Sequence, residues 1–410
     1  MLENKSNLVD LSLNGSGNEP AEAPFKEIDV EEAVRERYGA AAQAAEPALC
    51  CPVDYDAKYL KIIPKEIIER DYGCGDPSKH VSAGETVLDL GSGGGKICYI
   101  AAQVVGATGM VIGVDRNDDM LELARKYQAP LADKLGYANV DFRKGSIQDL
   151  ALNLESFESY LADNPVQSSS DWLRAEAHAE TLRASAPLVE SDSVDVVVSN
   201  CVLNLVGKAD RQQLFAEIFR VLRRGGRAVI SDIVCDEPVP EHLQNDPNLW
   251  SGCISGAFVE DEFLQAFADA HFYGSEIVSR QEEAWATVEG IEFRSMTLQA
   301  YKGNAGPCLD LQQAVLYNGP WKSVTDDDGY VLRRGERLSV CGRSYKIYSR
   351  DPYQDQVTLI PPTKSVPEAE AGHLDCHNRQ VRDPRVTKGD ASSATVLPQR
   401  DCCGPESDCC

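Results

Sequence analysis

The chain has 410 residues, enough for about two or three domains, and 43% of them are hydrophobic, which provides for a large buried core. Acidic residues outnumber basic ones by 65 to 40, and the formal net charge of −25 repels phosphate backbones and anionic lipid head groups. We therefore expect neither nucleic acid nor membrane partners. Because the sequence also shows no secretory leader and no apolar run of bilayer length, we expect a cytoplasmic protein.

The N-terminal part of the chain divides into two predicted segments. Residues 1–28 are polar and are predicted to be disordered. Residues 29–84 are predicted to be mainly helical, since apolar residues from Val30 to Tyr38 recur at helical spacing. This segment carries three cysteines, Cys50, Cys51 and Cys74.

From residue 85 onward, short apolar strands alternate with helices, a pattern typical of an α/β domain with a doubly wound parallel sheet. This domain is predicted to span residues 85–235, with strands at 86–90, 110–115, 194–199 and 227–232 and a helical insert at 151–190. A smaller α+β domain is predicted for residues 236–352. Residues 353–410 are rich in proline and polar residues and are predicted to be disordered.

A glycine-rich loop, Asp89-Leu90-Gly91-Ser92-Gly93-Gly94-Gly95, follows the first strand and precedes a helix. Glycine lets the backbone turn tightly and approach a ligand without a Cβ atom in the way. Asp115 ends the next strand, where a carboxylate can accept hydrogen bonds from both ribose hydroxyls. A dehydrogenase fingerprint has a third glycine where this chain has Lys96. The loop instead resembles motif I of the class I S-adenosylmethionine-dependent methyltransferases, which have a Rossmann-like sheet.

Three cysteines are predicted to border the same cleft, because ligands bind at the carboxyl ends of parallel strands. Cys201 follows the third predicted strand, Cys74 lies in the loop before the first, and Cys253 follows the fourth. Three soft thiolates beside a methyl donor favour a soft, trivalent acceptor atom. Each cysteine alone also fits a small buried apolar residue. We expect four others to be structural, namely Cys98, Cys235, Cys308 and Cys341.

The segments around these cysteines resemble the three cysteine motifs of the arsenite methyltransferases. They read Tyr72-Gly73-Cys74-Gly75, Asn200-Cys201-Val202-Leu203-Asn204-Leu205 and Trp250-Ser251-Gly252-Cys253. The resemblance implies a methyltransferase that moves the methyl group of S-adenosylmethionine to trivalent arsenic, supplied as arsenite or its thiol conjugate and held by Cys74, Cys201 and Cys253. It also implies that Cys50 or Cys51 joins a disulfide that reduces the product. A reductant such as glutathione or thioredoxin then restores the thiols.

The candidate cofactor contacts rest on two kinds of argument. Four of the candidate contacts follow from the glycine loop and the strand after it, namely Asp89, Gly91, Gly93 and Asp115. Met120 and Ile147 fit the flanks of an adenine ring, although core packing explains them equally well. Tyr72 and Asn200 rest mainly on the resemblance.

Two other functions fit parts of the sequence. The glycine loop equally allows a methyltransferase for another small molecule, which needs a base but no cluster of thiols. A thiol-rich protein can also sequester arsenite without methylating it. The tail cysteines, Cys402, Cys403, Cys409 and Cys410, fit an arm that captures arsenite, a soft-metal clip, or an exposed tail without a role in turnover.

Overall fold

The computed structural model describes residues 30–43, 53–303, 306–376 and 380–396. Cys50, Cys51, the four tail cysteines and the predicted disorder of residues 1–28 lie outside these ranges. Among the described helices, none combines the length and apolar character that crossing a membrane requires.

A mixed sheet organises most of the described chain. Its strands are β1 (Thr86–Leu90), β2 (Met110–Asp115), β3 (Val140–Lys144), β4 (Val194–Asn200), β5 (Leu222–Cys235), β6 (Phe258–Val259), β7 (Phe272–Arg280), β8 (Ala286–Val288) and β9 (Ile291–Lys302). The main order is β3-β2-β1-β4-β5-β9-β7, with β6 beside β5 and β8 beside β9. Strands β1 to β5 are parallel, and β9 runs antiparallel between β5 and β7. Chain order reverses between β1 and β4, the point at which such sheets bind ligands.

Helices cover both faces of this sheet, which confirms the predicted α/β fold class. They are α4 (Lys96–Val105), α5 (Asp118–Lys126), α6 (Gln128–Leu135), α7 (Leu154–Asp163), α8 (Ser169–Ser185), α9 (Arg211–Val221), α10 (Glu241–Gln244), α11 (Pro247–Ser251) and α12 (Glu260–Asp269). Successive β1 residues alternate between two apolar clusters: Val87 packs with α4, and Leu88 packs with α9. Helices α7 and α8 form the insert at 151–190, where the rings of Tyr160 and His178 stack.

Three helices precede the sheet: α1 (Val30–Gln43), α2 (Ala57–Leu60) and α3 (Lys65–Glu69). Helix α1 lies across the carboxyl ends of the strands and contacts both α5 and α11. The Arg37 guanidinium donates to the carbonyl of Asn248, at 2.8 Å, and to the hydroxyl of Ser251, at 2.9 Å. This packing makes α1 one wall of the cleft described below.

A C-terminal module begins after β9. Its elements are β10 (Leu309–Asp310), β11 (Ala314–Tyr317), β12 (Ser323–Thr325), β13 (Val331–Arg333), β14 (Arg337–Ser339), α13 (Gly342–Tyr348), β15 (Val357–Ile360), β16 (Gly372–His373) and α14 (Pro384–Lys388). The strands form three small sheets around an apolar cluster that includes Val315, Tyr317 and Leu338. The Arg350 guanidinium lies against Gly225 near the start of β5, so the module docks at the amino end of this strand.

The structure departs from the predicted organisation at two boundaries. The central sheet does not end at residue 235, because β9 pairs with β5 from Arg227 to Cys235, so residues 236–302 complete the sheet. Residues 353–376 and 380–396, predicted to be disordered, contain β15, β16 and α14. Their overall polar composition hides the short apolar strand β15, whose Val357 and Leu359 join the core of the module.

The aromatic cluster beneath α12 allows a test of whether residues 236–302 share one core with the rest of the central sheet. Phe267 is fully buried and makes edge contacts with Phe215 and Phe272, at centroid distances of 5.0 and 5.3 Å. We expect Phe267→Ala to lower the free energy of unfolding by about 3–5 kcal/mol in a single urea transition, since it leaves a cavity in a shared core. The exposed Trp172 is the matched control, and Trp172→Ala is expected to change stability by about 0.5 kcal/mol or less. A separate transition for residues 236–302 would contradict the shared core.

Candidate functional site

A cleft of about 1120 Å³, open to solvent on one side, lies at the carboxyl ends of β1, β2 and β4. The glycine loop after β1 forms its floor, and residues of α1, including Val34 and Tyr38, line the opposite side. All eight cofactor candidates from the sequence line this cleft: Tyr72, Asp89, Gly91, Gly93, Asp115, Met120, Ile147 and Asn200. The structure therefore brings together residues that are distant in the sequence.

The glycine loop is held in place from both ends. Gly91 has a φ of +67°, and a Cβ on it would lie 2.5 Å from a methyl carbon of Val202, so a larger residue is excluded there. The Asp115 carboxylate accepts the N–H of Gly93 and the N–H of Asn117, both at 2.8 Å. Asp115 thus fixes the loop while it lines the cleft.

Lys96, which distinguishes this loop from a dehydrogenase fingerprint, has a definite role in the structure. Its side chain is buried, pairs with Asp71, and lies 3.8 Å from the ring centroid of Tyr55. Asp71 precedes Tyr72, so the ion pair connects the glycine loop with the segment that carries Cys74. The sequence did not reveal this connection, because it depends on a contact between distant segments.

The cleft contains carboxyl groups that are costly to ionise. Burial raises the pKa of Asp89 to about 7, even though the Cys98 thiol donates to it at 3.2 Å. Burial also raises the pKa of Asp115, partly offset by the N–H groups that it accepts. Buried carboxylates of this kind gain from a cationic ligand, which supplies the missing opposite charge.

Cys201 follows β4 in a strained conformation. Its φ is +62°, a value that L-residues other than glycine seldom adopt, and its N–H donates to the carbonyl of Ser231 at 2.8 Å. The buried carboxyl group of Asp232 accepts the N–H groups of Leu203, at 2.9 Å, and Asn204, at 3.3 Å, and so fixes the turn. Strain supported in this way is typical of functional sites.

The loop that carries Cys74 is built around the side-chain amide of Asn200. The Asn200 Oδ1 atom accepts the N–H groups of Cys74, at 2.9 Å, and Gly75, at 3.0 Å, while its Nδ2 donates to the carbonyl of Gly75 at 2.8 Å. A Cβ on Gly73 would overlap this amide, so glycine is required for the close approach. Asn200, predicted as a cofactor contact, therefore also positions Cys74.

The Cys74 and Cys201 sulfurs and a carboxyl oxygen of Asp232 all lie within 4.8 Å of one another. Cys253, which also has a φ of +62°, follows α11 and directs its thiol at the carbonyl of Cys201, at 3.5 Å. All three cysteines are buried and belong to one cluster of packed residues. The Cys74 and Cys201 thiols are thus neighbours, the Cys253 thiol lies beside the carbonyl of Cys201, and Cys201 lines the cleft.

Sequence reasoning missed two residues beside these thiols. Tyr38 of α1 is hydrogen-bonded to Cys253, and burial together with the neighbouring thiols raises its pKa, so the phenol stays neutral. Burial raises the pKa of Asp232 to about 6. The helical spacing identified Tyr38 only as an apolar position, and Asp232 lay within a predicted strand. An acidic residue in an otherwise apolar strand was the available signal for Asp232.

Cys98 and Cys235 are also fully buried, and burial raises the pKa of Cys235 to about 12. The Cys235 thiol donates to the carbonyl of Phe258 at 3.3 Å, a contact within the core. Their structural role stays a prediction.

Comparisons with known proteins show which proteins the chain is similar to. Residues 81–184 and 167–271 match a family model described as a methyltransferase domain, and residues 304–392 match a domain of unknown function (DUF8838). The chain is 31% identical over 335 residues to the arsenite methyltransferase of Aquipseudomonas alcaligenes, an alignment that covers 77% of this chain and 86% of that protein. It is 26% identical over 371 residues to the arsenite methyltransferase of Homo sapiens, with 85% and 88% covered.

The chain is also similar to a solved structure. The crystal structure of an arsenic(III) S-adenosylmethionine methyltransferase from Chlamydomonas reinhardtii has 25% identity and a TM-score of 0.49, covering 81% of this chain and all of that one.

The buried carboxyl group of Asp89 makes the stability of the ligand-free protein depend on pH. Between its ordinary pKa of 3.8 and the folded value of about 7, the unfolded chain releases a proton that the folded chain keeps. Stability therefore falls as pH rises through this window, by up to about 1.4 kcal/mol per pH unit, and the contribution levels off above it. Urea midpoints between pH 5 and 8 are expected to show this fall, with a shallower slope in Asp89→Asn. Equal slopes in both proteins would contradict the assignment.

Proposed function

The chain belongs to the arsenite methyltransferase family, and on that premise we propose that it transfers the methyl group of S-adenosylmethionine to trivalent arsenic bound by Cys74, Cys201 and Cys253. The observation that carries this proposal is the proximity of the buried Cys74, Cys201 and Cys253 thiols, with Cys201 lining a cleft that also contains the glycine loop. Thiolates are soft ligands and match a soft acceptor atom.

The cleft fits the proposed cofactor. The glycine loop leaves room for a ligand next to its backbone, and the Asp115 carboxylate lies at the end of β2, where ribose hydroxyls bind in this class of sheet. Asp89 offers a carboxylate to a cationic ligand. When bound, S-adenosylmethionine supplies a methyl group on a positively charged sulfur, an electrophile that needs no acid catalyst. Its methionine and nucleoside ends would be held by the residues that line the cleft.

The protein's part in methyl transfer is to hold and orient the acceptor. Arsenic(III) has a lone pair and no proton to remove, so the site needs no general base. Alignment of the arsenic with the methyl group supplies the main rate gain. Asn200 and Asp232 fix the backbone around Cys74 and Cys201, so the thiols meet the arsenic with little reorganisation.

The product requires a redox step. When the lone pair of arsenic forms the new As–C bond, arsenic becomes formally pentavalent. Two thiols that form a disulfide release two electrons, which return arsenic to the trivalent state. We assign one end of this disulfide to Cys50 or Cys51 and its reduction to a small or protein thiol such as glutathione or thioredoxin. We accordingly place the protein in the cytoplasm, where thiols are kept reduced.

The first test concerns Cys201. We expect Cys201→Ser to lower the rate of arsenite methylation by at least about 100-fold, since it removes one of three ligands that align the arsenic. Binding of S-adenosylmethionine is expected to persist. The products are measured by chromatographic separation of arsenic species after incubation with arsenite, S-adenosylmethionine and a thiol reductant.

Cys235→Ser is the matched control, because Cys235 is buried in the core and a serine hydroxyl can keep the hydrogen bond to Phe258. It is expected to retain methylation. If the unmodified protein binds S-adenosylmethionine but leaves arsenite unmethylated, the acceptor is another molecule. If it retains arsenite tightly without any methylated product, the protein sequesters arsenite.

The second test separates Cys50 from Cys51. We expect one of the two serine variants to keep methyl transfer in a single turnover but to lose most of its multiple-turnover rate, because its product is not reduced. The other variant is expected to behave like the unmodified protein. Rapid-quench measurement of the first turnover beside the steady-state rate distinguishes the two steps. Full steady-state activity in both variants, and in the double variant, would remove the pair from the redox role.

A further inference from the structure

A second cluster of thiols lies in the C-terminal module. The sulfurs of Cys308, Cys341 and Cys376 all lie within 4.8 Å of one another. Cys341 and Cys376 are buried, and Cys308 is half-buried. Neither Cys308 nor Cys341 lies in a local sequence motif, because the three cysteines come from separate segments that only the fold brings together.

The surrounding contacts hold these three segments in register. Strands β10 and β16 pair directly after Cys308 and just before Cys376, and the N–H of Leu374 donates to the carbonyl of Cys308 at 2.8 Å. Cys341 follows β14 and caps α13. The Arg382 guanidinium pairs with Asp310 at 2.6 Å, which fastens the end of the module beside the cluster. The cluster is therefore a consequence of several independent contacts.

The local chemistry favours a thiolate within the cluster. The Cys341 sulfur accepts the N–H of Ser344 at 3.4 Å and lies 3.4 Å from the Ser344 hydroxyl. These contacts place two donor groups of Ser344 at the Cys341 sulfur, and such donors stabilise a thiolate.

We propose that Cys308, Cys341 and Cys376 bind one zinc ion, with water as the fourth ligand on the half-exposed side next to Cys308. Zinc–thiolate bonds of about 2.3 Å in tetrahedral geometry place the sulfurs roughly 3.8 Å apart, so the cluster needs only a small contraction. The module has short strands and a small apolar core, and a cross-link between three of its segments stabilises such a fold.

This zinc site is independent of the proposed methyl transfer. The module docks at the amino end of β5, through Arg350 and Gly225, whereas the cleft lies at the carboxyl ends of the strands. The site can therefore exist whether or not the cleft acts on arsenic.

The test uses the full chain in which Cys402, Cys403, Cys409 and Cys410 are replaced by serine, so that the tail does not contribute thiols. We expect one zinc per chain by plasma mass spectrometry after loading and desalting. Cobalt substitution is expected to give intense thiolate-to-cobalt charge-transfer bands. In this background Cys308→Ser is expected to lower zinc affinity by at least about tenfold, measured by competition with a chromophoric chelator.

Cys235→Ser is the control for a buried thiol outside the cluster, and the triple variant Cys74→Ser, Cys201→Ser, Cys253→Ser is the control for the cleft. Both are expected to keep the zinc. If the loaded parent chain holds no zinc and shows no charge-transfer bands, the proposal is wrong, and this outcome does not depend on how any variant folds. Zinc lost from the triple cleft variant but kept in Cys308→Ser would assign the ion to the cleft. An intact mass that shows a disulfide, or tight binding of arsenite but not zinc, would also overturn the assignment.

Discussion

The side-chain amide of Asn200 is the contact on which the geometry of the cleft depends. It stands at the end of β4 and uses both of its polar atoms on the loop that contains Cys74. The next residue is Cys201, whose carbonyl is the partner of the Cys253 thiol. The end of one strand thus sets the position of all three thiols. Since β4 also lies at the switch point of the sheet, the thiols are held beside the glycine loop.

This arrangement includes strained backbone and buried acids that lower the stability of the folded state, and the rest of the fold must offset this cost. Cys201 and Cys253 both have positive φ values, and Asp89 and Asp232 are buried acids. Strained residues of this kind cost on the order of 1–3 kcal/mol each. The apolar clusters on the two faces of the sheet supply the opposing stability. A site preorganised in this way needs less rearrangement when its ligands bind, which is the physical reason for tolerating the strain.

Much of the fold could be predicted from the sequence, because parallel strands with helices between them have a strong apolar pattern. Strands β1, β2 and β4 were predicted at nearly their observed positions, whereas the prediction at 227–232 covers only the middle of β5. The glycine loop and the three thiols could be placed together because the carboxyl ends of parallel strands meet at one edge. The extension of the sheet through β9 could not be predicted from the sequence, since antiparallel pairing depends on partners that are distant in sequence. Tyr38 and Asp232 were missed for the same reason: their partners lie in other segments.

The two thiol clusters show how the same side chain can serve opposite purposes in one chain. The thiols at the cleft are fixed by backbone strain and by an asparagine, beside a space large enough for a cofactor. The thiols of the C-terminal module are fixed by strand pairing and by a hydrogen bond from Ser344. In the proposed methyl transfer, the arsenic at the first site is exposed to a methyl donor and is released after turnover. In the proposed zinc site, the ion remains bound. Because the module docks at the amino end of β5 and the cleft lies at the carboxyl ends of the strands, the fold keeps the two proposed sites apart.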